Sequence, residues 1–193
     1  MGFLGFDASL LPFAEMSRRE FDTSTILFET RENCAKFRKN AEIFRVFPEI
    51  LDIHGDLFRK LSKIDVLINA FPDKTQKKLL SSREFFEMKS NSLLLDLGFL
   101  RNIDQFAIIE ALSLQRIAGA WLDLPISCEI DSKNPLFSVK NLCISLENIN
   151  SSCNFIDSAL EEFRKNYNKF CEGELHKITG KIDKEMKRFI DFS

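Results

Sequence analysis

The chain is poor in the side chains that most often carry polar chemistry: its 193 residues include only two histidines, one tryptophan and one tyrosine. His54 falls in a turn beside a helix and His176 in the segment after Gly173, and both read as surface or packing residues rather than general acids. The five cysteines (Cys34, Cys128, Cys143, Cys153 and Cys171) are an odd set without a CxxC pair. That excludes a disulfide framework and a structural zinc site, and it predicts reduced thiols in a cytoplasmic protein. No metal-ligand constellation is visible. Neither sign of charge dominates: 27 basic and 29 acidic residues are interspersed, leaving a formal charge of -2. Such a surface has no field to recruit nucleic acid or an anionic membrane, so neither is expected as a partner. Long apolar runs are missing too, since none approaches the roughly 18 residues of a membrane span. The start, Met1-Gly2-Phe3-Leu4-Gly5-Phe6-Asp7, lacks a basic region and is charged too early for a signal peptide.

What the chain does have is phenylalanine, 20 of them, and short apolar runs alternating with amphipathic stretches. Phe3–Phe6, Ile26–Phe28, Val66–Ala70, Leu93–Leu97, Ile117–Leu122 and Leu142–Ser145 read as strands, with a further short one over Phe44–Phe47 cut by Pro48. Leu11–Phe21, Glu32–Asn40, Leu57–Ser62, Ser81–Met88, Gln105–Leu114 and Phe155–Phe170 carry apolar residues at three- and four-residue spacings and read as helices. Continuously apolar strands belong in a parallel sheet covered on both faces, so the order predicts a doubly wound α/β fold. Length favours one domain, over residues 1–178, followed by a helical tail over 179–193 whose Ile182, Met186, Phe189 and Ile190 share a face. Phe3, Phe6, Phe28, Phe85, Phe106 and Phe163 are expected in the core, while Phe71 and Phe99 fall at strand ends on the carboxyl edge of the sheet.

A series of motifs runs in order from Leu61 to Glu147: Asp65-Val66-Leu67-Ile68-Asn69-Ala70-Phe71-Pro72, Asp73-Lys74-Thr75, Met88-Lys89, and Leu94-Leu95-Asp96-Leu97-Gly98. It continues through Ile103-Asp104, Ala107, Glu110-Ala111-Leu112, Ile117 to Leu124, Asn134-Pro135-Leu136-Phe137 and Asn141-Leu142. In order and spacing this resembles the cofactor domain of the D-isomer-specific 2-hydroxyacid dehydrogenases. The resemblance implies a Rossmann-like fold, NAD or NADP as cofactor, and a nucleotide site drawn from Gly5, Ala8, Ser9, Glu29, Phe71, Pro72, Gly98 and Asp123. It also implies a substrate-binding half ahead of the first glycine, whereas this sequence begins at the first strand.

The nucleotide fingerprint is broken. A Rossmann turn uses three glycines to bend sharply, to let its backbone approach a diphosphate and to pack helix on strand. In the frame Gly5-Phe6-Asp7-Ala8-Ser9-Leu10 only the first survives. A carboxylate at Asp7, ~4 Å from a phosphate charge, costs on the order of 4 kcal/mol at an effective dielectric of 20, or roughly three decades of affinity. Leu10 forces the helix away from the strand or the turn into another shape. Glu29, 24 residues beyond Gly5, stands where an acid would accept hydrogen bonds from an adenosine ribose. The competing reading is that Asp7 or Ser9 caps the first helix and Glu29 is an exposed acid at a strand end.

The catalytic positions that the resemblance implies have also changed. An arginine that would bind the substrate carboxylate is Phe99, an acid is Cys128, and a histidine is Glu147. Phenylalanine cannot clamp a carboxylate, and a glutamate with an ordinary pKa near 4.3 is poorly matched to protonating a carbonyl at neutral pH. A one-residue slip would bring Glu129 to the position of Cys128. Asp123 is kept where the family acid would meet the nicotinamide amide. The expectation is therefore a binding module without its chemistry, serving a protein partner or a second copy. The rival is an NAD(P)-dependent reductase of a small 2-oxo acid.

Overall fold

Branched and aromatic apolar residues in runs of three to six form the strands, and between them amphipathic stretches cross the sheet. In the computed structural model the described residues are 1–8, 10–71, 78–98, 100–124 and 133–146, with residues 161, 164, 165, 168, 169 and 174 beyond them. Strands β1 (Gly2–Leu4), β2 (Ile26–Glu29), β3 (Glu49–Asp52), β4 (Val66–Asn69), β5 (Leu93–Asp96), β6 (Gly119–Leu124) and β7 (Leu142–Leu146) pair in parallel throughout. Their order is β3-β2-β1-β4-β5-β6-β7, the doubly wound topology expected from the sequence. Helices α1 (Leu10–Phe21), α2 (Arg31–Phe37), α3 (Ala41–Val46), α4 (Leu57–Lys60), α5 (Ser82–Glu87) and α6 (Gln105–Ser113) complete the layers.

Alternation along each strand divides the core in two. Phe3, Leu27, Ile50 and Ile68 join Leu10 and Ala14 of α1, Cys34 and Phe37 of α2, and Ile43 and Val46 of α3. Leu4, Phe28, Leu67, Leu94 and Leu122 join Leu57, Phe85, Ala107, Ile108 and Ala111 from α4, α5 and α6. Because every strand needs both faces covered, the continuous apolar runs of the sequence are the signature of this two-sided burial.

Two expectations are corrected. The segment read as a strand over Phe44–Phe47 is the helix α3 and its cap: Asn40 Oδ1 accepts from the amides of Glu42 (3.0 Å) and Ile43 (3.1 Å), which starts a helix rather than a strand. The strand lies after Pro48, at the sheet edge, where only Ile50 is fully buried and the apolar signal is accordingly weak. Phe106 is not core. It sits in the first turn of α6, 80% exposed, because Ala107, Ile108, Ala111 and Leu112 define the buried face.

Residues 1–146 form one compact unit and residues 147–193 a second. In the second, Glu161, Arg164, Lys165, Asn168 and Lys169 are helical, within the helix predicted over Phe155–Phe170, and Lys165 pairs with Glu161 one turn away at 3.2 Å. Phe163 and the tail face of Ile182, Met186, Phe189 and Ile190 lie outside the described residues. Among the described residues, no helix is long and apolar enough to cross a membrane.

Candidate functional site

In an open parallel sheet, ligands bind beyond the carboxyl ends of the strands at the point where the strand order reverses. Here that point lies between β1 and β4. Gly5 directly follows β1 with φ of +79°, and a Cβ built on it would lie 2.4 Å from the Cα of Phe71. The first fingerprint glycine is thus required by both the turn and the contact between strand ends. Its amide donates to Phe28 O at 2.9 Å, so the turn begins hydrogen-bonded to β2.

Past Gly5 the turn departs from a phosphate cradle. Asp7 and Ala8 are exposed, and their carbonyls accept from the amides of Leu10 (3.0 Å) and Leu11 (3.2 Å) as α1 begins. Leu10 is 7% exposed and packs in the core with Phe3 and Ala14, so the volume added at the third glycine position is absorbed by the helix–strand contact. Ser9 lies outside the described residues. Glu29 is not the exposed acid of the competing reading: it is 2% exposed. Its Oε1 accepts from Phe6 N at 3.0 Å, and its Oε2 accepts from Thr30 N at 2.9 Å and Asn33 Nδ2 at 3.0 Å.

Beyond β4 and β5 a second buried polar group holds the floor of this edge. Asp96 is fully buried, with Oδ1 accepting from Asn69 Nδ2 (2.7 Å) and Gly98 N (3.1 Å), and Oδ2 accepting from Leu100 N (2.7 Å). Burial pushes the Asp96 carboxyl up from its ordinary range, and the Asp123 charge adds to this; the donors from Leu100, Asn69 and Gly98 pull the other way. Leu100 is held at φ of +59°, a left-handed conformation that disfavours residues with a Cβ. Gly98 has no room for a side chain without pressing on Asn69 Nδ2, which would lie 3.0 Å from a Cβ.

The remaining predicted residues are dispersed along the same edge. Phe71 is buried in the core at 5% exposure and its carbonyl accepts from Asn102 Nδ2 at 3.2 Å. Asp123, 6% exposed at the end of β6, accepts from Ser145 Oγ at 2.6 Å, and that hydroxyl accepts from Trp121 Nε1 at 2.9 Å. Pro72, Phe99, Cys128, Glu129, Glu147 and His176 lie outside the described residues. His54 is exposed in its turn, its amide donating to Asp52 Oδ1 at 3.1 Å. Sequence reasoning did not assign Asn69, Asp96, Asn102 or Ser145 to this edge. The available signal was a polar residue closing an apolar strand, as Asn69 and Asp96 do. Two clefts, of about 620 and 500 Å3, include none of the predicted residues. Among the described residues, no group of three or more His, Cys, Asp or Glu is placed to hold a metal ion.

A family model described as "D-isomer specific 2-hydroxyacid dehydrogenase, NAD binding domain" matches residues 48–145, about half of the chain, from β3 to β7. The chain belongs to the D-isomer-specific 2-hydroxyacid dehydrogenase family. Among solved structures, D-mandelate dehydrogenase of Rhodotorula graminis superposes with a TM-score of 0.68 at 18% identity, covering 88% of this chain and 47% of that one. D-lactate dehydrogenase of Lactobacillus jensenii, solved with NAD+, gives 0.65 at 17% identity, covering 89% and 52%. An NADPH-dependent glyoxylate/hydroxypyruvate reductase of Sinorhizobium meliloti gives 0.64 at 20% identity, covering 88% and 49%. The chain therefore spans about half the length of these dehydrogenase structures. No curated protein sequence matches it.

The NAD-binding domain of this family implies a dinucleotide at the β1–β4 switch point, and the residues here do not fit one in the usual manner. The turn keeps one glycine and offers a carboxylate at the second position, the third position is filled by a buried leucine, and the strand-end acid is already hydrogen-bonded within the chain.

Proposed function

We propose that this chain is a catalytically degenerate dehydrogenase-type Rossmann module that acts in the cytoplasm by binding a protein partner or a second copy of itself, with weak or no nucleotide binding. The observation that carries this reading is the turn after β1, where exposed Asp7 replaces a glycine and buried Leu10 replaces another. A phosphate brought to that turn meets a like charge rather than a bare backbone. Phe99, Cys128 and Glu147 at the family's catalytic positions support the loss of chemistry. Leu93 and Trp121, each 47% exposed beside an apolar cleft of about 500 Å3, supply surface for a partner. The test is titration with NADH and NADPH to millimolar concentration, followed by Trp121 fluorescence and thermal unfolding. No response is expected. Micromolar binding, or turnover of glyoxylate or hydroxypyruvate, would overturn the reading.

A second reading is favoured by family membership and by similarity to the Sinorhizobium reductase. In it, the chain reduces a small 2-oxo acid with NAD(P)H, completed by another chain, with Glu129 and Glu147 as the acid–base pair. Loss of turnover in Glu147→Gln would be its signature.

A further inference from the structure

Helices α4, α5 and α6 cover the sheet face that carries Leu94 and Leu122, whereas on the opposite face α1, α2 and α3 cover only the half from β3 to β1. Among the described elements, no helix lies over the rest. There Val66 pairs in register with Leu93, and Leu95 with Trp121 and Cys143, so these five side chains share one surface over β4 to β7. They line an apolar cleft of about 500 Å3 in which Lys140 is the one charged residue among those described. A flank of α1 makes its wall. Arg18 Nη1 donates to Val46 O at 3.0 Å and Glu15 pairs with Arg45, which turns that side of α1 toward α3. At about 100° per residue Phe13 and Met16 fall on the other side, toward β4 and β5, and they are 37% and 42% exposed. Trp121 is 47% exposed yet fixed in place: its Nε1 donates to Ser145 Oγ at 2.9 Å, and that hydroxyl donates to buried Asp123 at 2.6 Å. Its one polar atom is used within the chain, so the open ring offers apolar contact.

We infer that this L-shaped groove takes an amphipathic α-helix of a partner protein, laid alongside α1 with its carboxyl end over Lys140. The inference rests on the reading that the chain acts by binding a partner, and it names the kind of partner. Shape selects a helix. A parallel sheet is covered by helices on both faces, and the covered half of this face follows that rule. From β4 to β7 three strand spacings span roughly 14 Å, which admits one helix about 10–12 Å across. A second sheet would have to clear the wall of α1. Charge selects the direction. Helix α1 runs from the end of β1 to the start of β2, opposite to the strands, so a helix parallel to it ends where the strands begin, and there Lys140 precedes β7. A lysine at that place stabilises the carbonyl end of a helix and any acid in its last turn.

The experiment titrates the full chain with a designed peptide of about 14 residues, roughly 21 Å as a helix, that has a leucine stripe, glutamates in its last turn and no tryptophan. Trp121 is the only tryptophan of the chain, so its fluorescence reads the groove directly. In the protein alone acrylamide should quench Trp121 readily; an indole already shielded would show that the face is covered without a partner and overturn the inference. The peptide should shift the emission to the blue, gain helicity and bind with a Kd of about 10 μM or tighter, whereas the same composition with its stripe scrambled should not bind. Equal binding of the two would overturn it. Leu93→Asp should weaken binding at least about tenfold, and Met16→Glu on the wall makes the same test if Leu93→Asp does not fold. Lys140→Glu should weaken it about fivefold and reverse the preference toward a peptide ending in lysines; wild type indifferent to that exchange would overturn the placement over Lys140. Sedimentation equilibrium covers the remaining occupant, since self-association that Leu93→Asp abolishes would give the face to a second copy instead. NADH titration separates this inference from the reading beneath it. No peptide binding by a wild type inert to NADH removes the groove alone, whereas peptide binding beside micromolar NADH binding keeps the groove and sinks the nucleotide part of the proposed function.

Discussion

At the residue scale, the informative positions are those where backbone geometry and side-chain identity constrain each other. Gly5 has both a positive φ and a neighbour at 2.4 Å from any Cβ, the Cα of Phe71. Gly5→Ala is therefore expected to destabilise the fold by about 2–4 kcal/mol, read as a lower urea midpoint at unchanged m. Asp96 gives a pH signature. Burial raises its pKa in the folded protein above the unfolded value, so the folded state binds this proton more readily than the unfolded chain. The stability of wild type relative to Asp96→Asn should then rise as pH falls through the folded pKa and level off below the unfolded value near about 3.9. Paired denaturation curves between pH 7 and 3 measure it. A difference that shrinks as pH falls would mean that the donors from Asn69, Gly98 and Leu100 outweigh burial.

At the scale of elements, α6 shows both kinds of helix end. Asp104 Oδ1 accepts from the amides of Phe106 (2.9 Å) and Ala107 (3.2 Å), and Asp104→Ala should cost about 1 kcal/mol by chemical denaturation. At the other end Arg116 N donates to Ala111 O (2.8 Å) and Gln115 N to Leu112 O (3.1 Å), the Schellman pattern, with Gln115 at φ of +54° where glycine is favoured. Gln115 is exposed, so Gln115→Gly should raise stability by about 1 kcal/mol, and a fall in Tm would refute it. These ends also explain what was legible beforehand. The apolar spacing in Gln105–Leu114 located α6 to within a residue, but it could not say which side chains lay off the buried stripe, and Phe106 was misassigned for that reason. In Phe44–Phe47 the apolar residues suit a strand as well as one helical turn, and the Asn40 cap settles it as α3.

Across the molecule, the sheet sets a gradient of protection. β1 and β4 are flanked on both sides, whereas β3 and β7 are edges among the described strands. Hydrogen exchange should be slowest for amides of β1, β4 and β5, approaching global unfolding, and faster by at least about tenfold in β3. Uniform protection across all strands would contradict this. The same arrangement gathers Gly5, Glu29, Asn69, Asp96 and Asp123 at one edge, although they are far apart in the chain. Parallel pairing does this necessarily, because every strand ends on the same side.

The sequence by itself determined the class of fold. Continuous apolar strands between amphipathic helices demand two-sided burial. Only the tertiary structure decided what Glu29 and Asp96 are. A carboxylate in a sequence is equally a solvated charge, a ligand acceptor or an internal anion, and the choice depends on which N–H donors the fold brings to within 3 Å of it. For Glu29 those donors come from Phe6, Thr30 and Asn33, and for Asp96 from Asn69, Gly98 and Leu100.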